Sequence, residues 1–138
     1  MLGAGVRLAR GTLIDARGTG VSIGDGVVSG TGVTVLAVNE IARSTSTGSA
    51  TQTDAMTIGS RAWLGAHCLI TAGAQVGAGA VVAAEALVID DVPDRAIVSG
   101  TPARVVGRRG ADDALEFFPT SVEARDTTRG RLRKPATP

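Results

Sequence analysis

The stretch from Thr57 to Gly107 reads TIGSRAWLGAHCLITAGAQVGAGAVVAAEALVIDDVPDRAIVSGTPARVVG. It carries an aliphatic residue at every sixth position: Ile58, Leu64, Ile70, Val76, Val82 and Val88. Four residues after each comes a second column of mostly small side chains: Ala62, Cys68, Ala74, Ala80, Ala86 and then Val92. Glycine often follows the aliphatic, as at Gly59, Gly65 and Gly77. Six is a multiple of two, so both columns fall on the same face of an extended chain. An α-helix would scatter them around its circumference and carry glycine inside it. One large and one small inward residue per six predicts a narrow coil of short parallel strands with a tight corner every six residues. Glycine, aspartate and asparagine suit such corners because they tolerate positive φ.

The pattern extends towards the N-terminus in other phases. Leu2, Leu8 and Ile14 form one run, and Ile23 and Val35 flank a weaker Ser29 in another. The slip between Ile14 and Ile23 predicts a small bulge at Asp15–Gly20. The slip between Val35 and Ile58 holds an insertion, IARSTSTGSATQTDAM at 41–56, polar and unrepeated. It reads as a loop leaving the coil wall, and such loops commonly carry function. Beyond the repeat, Asp90–Pro93 reads as a turn and Arg95–Arg109 as a strand-rich coda. Ala111–Phe118 reads as one or two helical turns capped by Asp112 or Asp113, with Leu115, Phe117 and Phe118 closing an open coil end. Residues 119–138 read as a disordered tail, and Arg129, Arg131, Arg133 and Lys134 as solvated charges within it. The expected organisation is a coil domain over 1–110, with its loop at 41–56, and a short helical cap with a basic tail over 111–138.

Composition narrows the function. The chain has 138 residues, 14 Lys and Arg against 13 Asp and Glu, and a net charge of +1, so a strongly charged partner is not indicated. Aromatics are 2% of residues and tyrosine is absent, which argues against base-stacking nucleic-acid platforms. Cys68 is the only cysteine, so no intrachain disulfide forms. No apolar run approaches the ~18 residues of a membrane span, and MLGAGVRLARG lacks a signal-peptide core. A cytoplasmic protein is expected. His67 is the only histidine, which excludes a His-rich metal site within one chain, so no metal is expected. Asp15, Asp25 and Asp54 show no metal spacing. Gly20-Val21-Ser22-Ile23-Gly24 fits a nucleophile-elbow pattern, but no helix follows and no histidine partner is apparent. Gly24-Asp25-Gly26 and Gly77-Ala78-Gly79 are coil corners rather than phosphate loops.

The motifs Ile-Gly-x-x-x-Trp-Leu-Gly at 58–65, Asp-Val-Pro at 91–93 and Gly-Thr-Pro-Ala-Arg-Val-Val at 100–106 carry a specific resemblance. The chain resembles the hexapeptide-repeat acyltransferases, the left-handed parallel β-helix family, and within it the sugar and polysaccharide O-acetyltransferases. The resemblance covers about residues 6–110. It implies an all-β fold, coils of about eighteen residues and a homotrimer. It also implies acetyl-CoA in a groove between subunits and a sugar acceptor opposite. The reaction it implies is direct acyl transfer from the thioester to a hydroxyl or amine. A histidine at the loop start acts as general base, and backbone amides of the coil wall hold the thioester oxygen and the pantetheine arm.

Two departures follow from the same alignment. The loop start reads Asn39-Glu40, so Glu40 stands where the family has its histidine, with Asn39 before it. His67 matches a variable turn position. Near the nucleotide end of CoA the family often has Thr-Lys or Thr-Arg, whereas this chain has Ile89-Asp90 and, on the pantetheine path, Ala83-Ala84-Glu85. Arg104 keeps the family's basic position. The resemblance thus assigns Trp63, Ala66, Ala84, Ser99 and Arg104 to acetyl-CoA, Trp63 serving equally well as a packing residue. The γ-carbonic anhydrases share the coil but need three zinc histidines. Three readings stand: an acyltransferase using Glu40 or the acceptor's own amine, a catalytically impaired relative serving as a trimeric scaffold, and a truncated product.

Overall fold

Alternation of inward and outward side chains over each six-residue step sorts the chain onto three faces. The computed structural model describes residues 1–17, 20–37 and 55–119. These form twelve short strands and no helix. They are β1 (Leu13–Asp15), β2 (Val21–Ile23), β3 (Val28–Ser29), β4 (Thr34–Leu36), β5 (Met56–Ile58) and β6 (Trp63–Leu64). Then come β7 (Leu69–Ile70), β8 (Val81–Val82), β9 (Leu87–Val88), β10 (Ala96–Ser99), β11 (Arg104–Arg109) and β12 (Leu115–Phe117).

The first face stacks β2 on β5 and continues through single bridges at Leu2, Val76 and Val92. The second runs β3, β6, β8, β10 in parallel, then β11 and β12 antiparallel. The third runs β1, β4, β7, β9. Successive strands of the chain therefore lie on successive faces, the arrangement of a parallel β-helix.

Ladder register measures each coil. Ile58 pairs with Val76, Leu64 with Val82 and Ile70 with Val88, a step of eighteen residues. Ile14 pairs with Val35, twenty-one apart, so the predicted slip at Asp15–Gly20 is three residues long. Ile23 pairs with Ile58, thirty-five apart and seventeen beyond one coil. Residues 38–54 are those seventeen, so the predicted loop falls almost wholly outside the described residues. Its last residue does not belong to it: Met56 opens β5 and is buried.

Both predicted columns are inside. Ile58, Leu64, Ile70, Val76, Val82 and Val88 are buried, with Ala62, Cys68, Ala74, Ala80 and Ala86 beside them. Val27 and Val33 extend the second column into the earlier coil, and Ala37 is buried just beyond Val35. Ser29 is buried without loss, because its hydroxyl accepts from the Ala9 N–H and meets the Thr12 hydroxyl, each at 3.1 Å. Val92 departs from its expected role. It pairs with Val76 sixteen residues on, so it is the large inward residue of the next coil, with Ala96 the small one. The Asp90–Asp91 corner is two residues short.

Leu2 and Leu8 keep the inward register, Leu2 pairing with Ile23 and Arg7 with Val28, yet stay 61% and 38% exposed because the first coil packs against one neighbouring coil only. One other expectation is corrected. Ala111–Phe118 is not helical. Leu115–Phe117 pairs antiparallel with Gly107–Arg109, and Glu116 meets Arg108 across the ladder at 2.8 Å. The cap residue serves a hairpin turn instead: Asp112 Oδ1 accepts from the Ala114 N–H, and the Gly110 N–H donates to the Ala114 carbonyl. Leu115, Phe117 and Phe118 sit exposed on this hairpin rather than closing the coil.

Candidate functional site

Where the second face turns into the third, one corner repeats on successive coils. Gly30–Gly32, Gly65–His67, Ala83–Glu85 and Ser99–Gly100 stack along it. The stacking is close because a Cβ on Gly65 would lie 2.5 Å from the Ala84 nitrogen. His67 and Glu85 adopt φ of 58° and 60° in slots where the earlier coils place Gly11 and Gly32. His67 is therefore an exposed turn residue, as expected, with its ring lying against Gly32.

This corner carries three of the sequence-predicted residues. Ala66 accepts through its carbonyl from the Glu85 N–H at 2.9 Å, and Leu87 donates to Gly100 beside Ser99 at 3.0 Å. The N–H groups of Ala66 and Ala84 have no acceptor among the described residues. At the corner between the first and second faces two of the equivalent amides are satisfied, Ala4 donating to Asp25 Oδ1 at 2.8 Å and Ala78 to Asp94 Oδ1 at 2.9 Å, while those of Asp25 and Ser60 have no acceptor among the described residues. The corner of Ala66 and Ala84 thus presents open donors about one strand spacing, ~4.8 Å, apart.

Arg104 opens β11 and lines a cleft of about 180 Å³ with Ile89, Asp90, Asp91 and Ala103. Its guanidinium lies 3.7 Å from Asp90, both side chains being exposed. The acid that the sequence sets near the nucleotide end therefore sits on the arginine expected to meet a phosphate. Trp63 stands apart from both. It projects from the second face, 47% exposed, and lines a different cleft with Arg61 and Arg109. Asn39 and Glu40 lie outside the described residues. At the third corner Gln75 bridges the strand that follows them: its Nε2 donates to the Ala55 carbonyl and its Oε1 accepts from the Thr57 N–H, both at 2.8 Å. Asp15, at the same corner, is held below the usual carboxylate range by its hydrogen bonds with Arg17.

Sequence reasoning missed the basic group at the corner between the first and second faces. Arg61 and Arg95 take φ of 59° there, in the column that Gly5, Gly26 and Gly79 otherwise fill. With Arg109 they surround Asp113. The one local signal was arginine in a glycine slot, since the hairpin that brings Asp113 and Arg109 is a tertiary feature.

Cys68 is buried in the small column, and desolvation pushes its thiol from 9.0 to about 11. The folded state thus keeps the proton longer than the unfolded chain. Stability is full below about pH 9 and falls as pH rises from 9 towards 11, by about 3 kcal/mol in all. Cys68→Ala fits the column and should flatten that window in urea melts followed against pH. An unchanged alkaline slope would assign the loss to another group.

The fold and this corner define a class: a parallel β-helix of hexapeptide coils with open backbone amides along one edge. Solved structures that share this fold are its neighbours. A hexapeptide-repeat acetyltransferase from Vibrio cholerae, complexed with acetyl-CoA, is 28% identical over 78% of this chain and 58% of that one, with a TM-score of 0.67. A serine acetyltransferase from Brucella abortus is 27% identical over 79% of this chain and 40% of that one, with a TM-score of 0.63. A maltose O-acetyltransferase from Clostridium difficile shares the fold at 21% identity, covering 78% of this chain and 57% of its own, with a TM-score of 0.65. The structural neighbours are hexapeptide-repeat acetyltransferases, whose coil is the left-handed β-helix, in agreement with the motif resemblance. The chain spans between 40% and 58% of the length of these three proteins. No protein-family model and no curated sequence matches it. Among the described residues, no helix is long and apolar enough to cross a membrane, and no three His, Cys, Asp or Glu side chains converge as a metal site.

Proposed function

We propose that this chain is an acyltransferase that moves an acetyl group from acetyl-CoA to a hydroxyl or amino group of a sugar-type acceptor, working as a homotrimer. The single observation that carries the reading is the pair of open amides at Ala66 and Ala84 on stacked corners. Donors spaced along an edge suit a linear thioester with amides in its arm, and a donor aimed at the thioester oxygen stabilises the charge that develops there. The acceptor oxygen or nitrogen attacks the thioester carbonyl carbon. The new bond forms as the carbon–sulfur bond breaks. Glu40 takes the acceptor's proton and returns it to the departing thiolate. Acetyl-CoA bound to the Vibrio cholerae neighbour supports the choice of donor.

The Asp90–Arg104 pair favours a second reading, an impaired relative serving as a trimeric scaffold. An acid beside the arginine offsets the attraction for a phosphate. The two readings separate on binding. Calorimetry with acetyl-CoA should give weak but saturable binding. Arg104→Ala should lower the affinity, and Asp90→Lys should raise it several-fold by reversing the local charge. No binding to the wild type or to Asp90→Lys would leave the scaffold.

A further inference from the structure

The column of corners between the first and second faces is filled by glycine at positions 5, 26 and 79 and by arginine at 61 and 95, all at positive φ. Arginine pays strain there that glycine avoids. Each side chain lies over the glycine of the coil before it: the Cγ of Arg61 packs at Gly26 and that of Arg95 at Gly79. The β11–β12 hairpin adds Arg109, whose Nη1 donates to the Arg61 carbonyl at 2.9 Å. One carboxylate serves all three. Asp113 is 2.6 Å from Arg61, 3.2 Å from Arg109 and 3.6 Å from Arg95. Arg95 also donates to the Arg109 and Gly110 carbonyls and so latches the hairpin. Arg61 and Arg109 share the same carboxylate and also line an open cleft.

A cleft of about 260 Å³ opens beside this group. It is lined by Arg61 and Arg109 together with Gly26, Val28, Ala62 and Trp63. Arg61 is 60% exposed and spends one N–H on Asp113. Arg109 is held in place, 19% exposed. Trp63 presents a flat apolar face beside them.

We propose that this cleft binds a planar aromatic ring carrying a phosphate, a ligand of the nucleotide kind, with the ring on Trp63 and the phosphate on Arg61 and Arg109. A phosphate monoester carries nearly −2 at neutral pH and suits a group in which three guanidiniums share one carboxylate. Guanidinium forks suit its oxygens, and an aromatic side chain takes any base by stacking. The cleft shares no residue with the corner of Ala66 and Ala84 or with the Arg104 cleft.

Trp63 is the only tryptophan and the chain has no tyrosine, so its fluorescence reports on this cleft alone. Titration of the full chain with AMP should quench it saturably. Adenosine alone and inorganic phosphate alone should each bind about tenfold more weakly, and added salt should weaken AMP. Arg61→Ala, at an exposed side chain, should also weaken AMP about tenfold while the far-ultraviolet spectrum stays that of the wild type. Arg104→Ala should leave AMP binding unchanged. No saturable quenching, equal binding of AMP by Arg61→Ala, or adenosine binding as tightly as AMP would overturn the proposal. Loss of AMP binding in Arg104→Ala would overturn it too, by assigning the nucleotide to the acyl-donor groove.

Discussion

Ile70→Asp should leave no cooperative unfolding transition at room temperature. Ile70 is buried in the centre of the third face, where its ladder runs from Val35 through Ile70 to Val88. Replacing it removes an aliphatic side chain from a filled interior, which alone costs about 2–5 kcal/mol. It also puts a carboxyl where no described polar side chain waits to receive it, and an unpaired buried carboxyl adds several kcal/mol more. The sum reaches the ~5–15 kcal/mol that holds a typical domain folded. Ile70→Val sets the control, with a loss of about 1 kcal/mol and the transition retained. Urea melts followed by circular dichroism make the comparison. An Ile70→Asp protein as stable as the wild type would mean that the six-residue column does not face a dry core.

Glu40→His should raise transfer to hydroxyl acceptors by about tenfold or more. A base must come within about 3 Å of the proton it removes and should have a pKa near the working pH. A solvated glutamate titrates near 4.3, too low to pull strongly on a hydroxyl at pH 7, whereas histidine titrates near 6.5. The wild type should accordingly be slow on hydroxyls and faster on amino sugars, whose nitrogen is already partly unprotonated. Thiol release from acetyl-CoA with a panel of sugars and amino sugars reads both effects. Rapid wild-type O-acetylation that survives Glu40→Ala would show that another group takes the proton.

These two variants sit at opposite ends of what the chain's order of residues reveals. Ile70 was legible because a coil repeats the same physical demand every six residues, large inside and then small inside, and each repetition restates the others. The same logic located the strand-rich coda. It held in register at Leu2 and Leu8, Leu2 pairing with Ile23, though the end coil leaves both exposed. It failed at Val92, where a corner two residues short shifted the register. It failed again at Ala111–Phe118, where local capping signals fit a helix but cross-strand pairing to Gly107–Arg109 won.

The sequence by itself determined the coil, its six-residue step and the residues that line its interior. Those depend on alternation along one extended chain and on side-chain size, both of which are local. Only the tertiary structure decided which outward groups meet. Asp90 lies 3.7 Å from Arg104, fourteen residues on, and Arg61 lies 2.6 Å from Asp113, fifty-two residues on. Those pairs form because the corners stack and the β11–β12 hairpin folds back over the coil, and no periodicity in the chain encodes either contact.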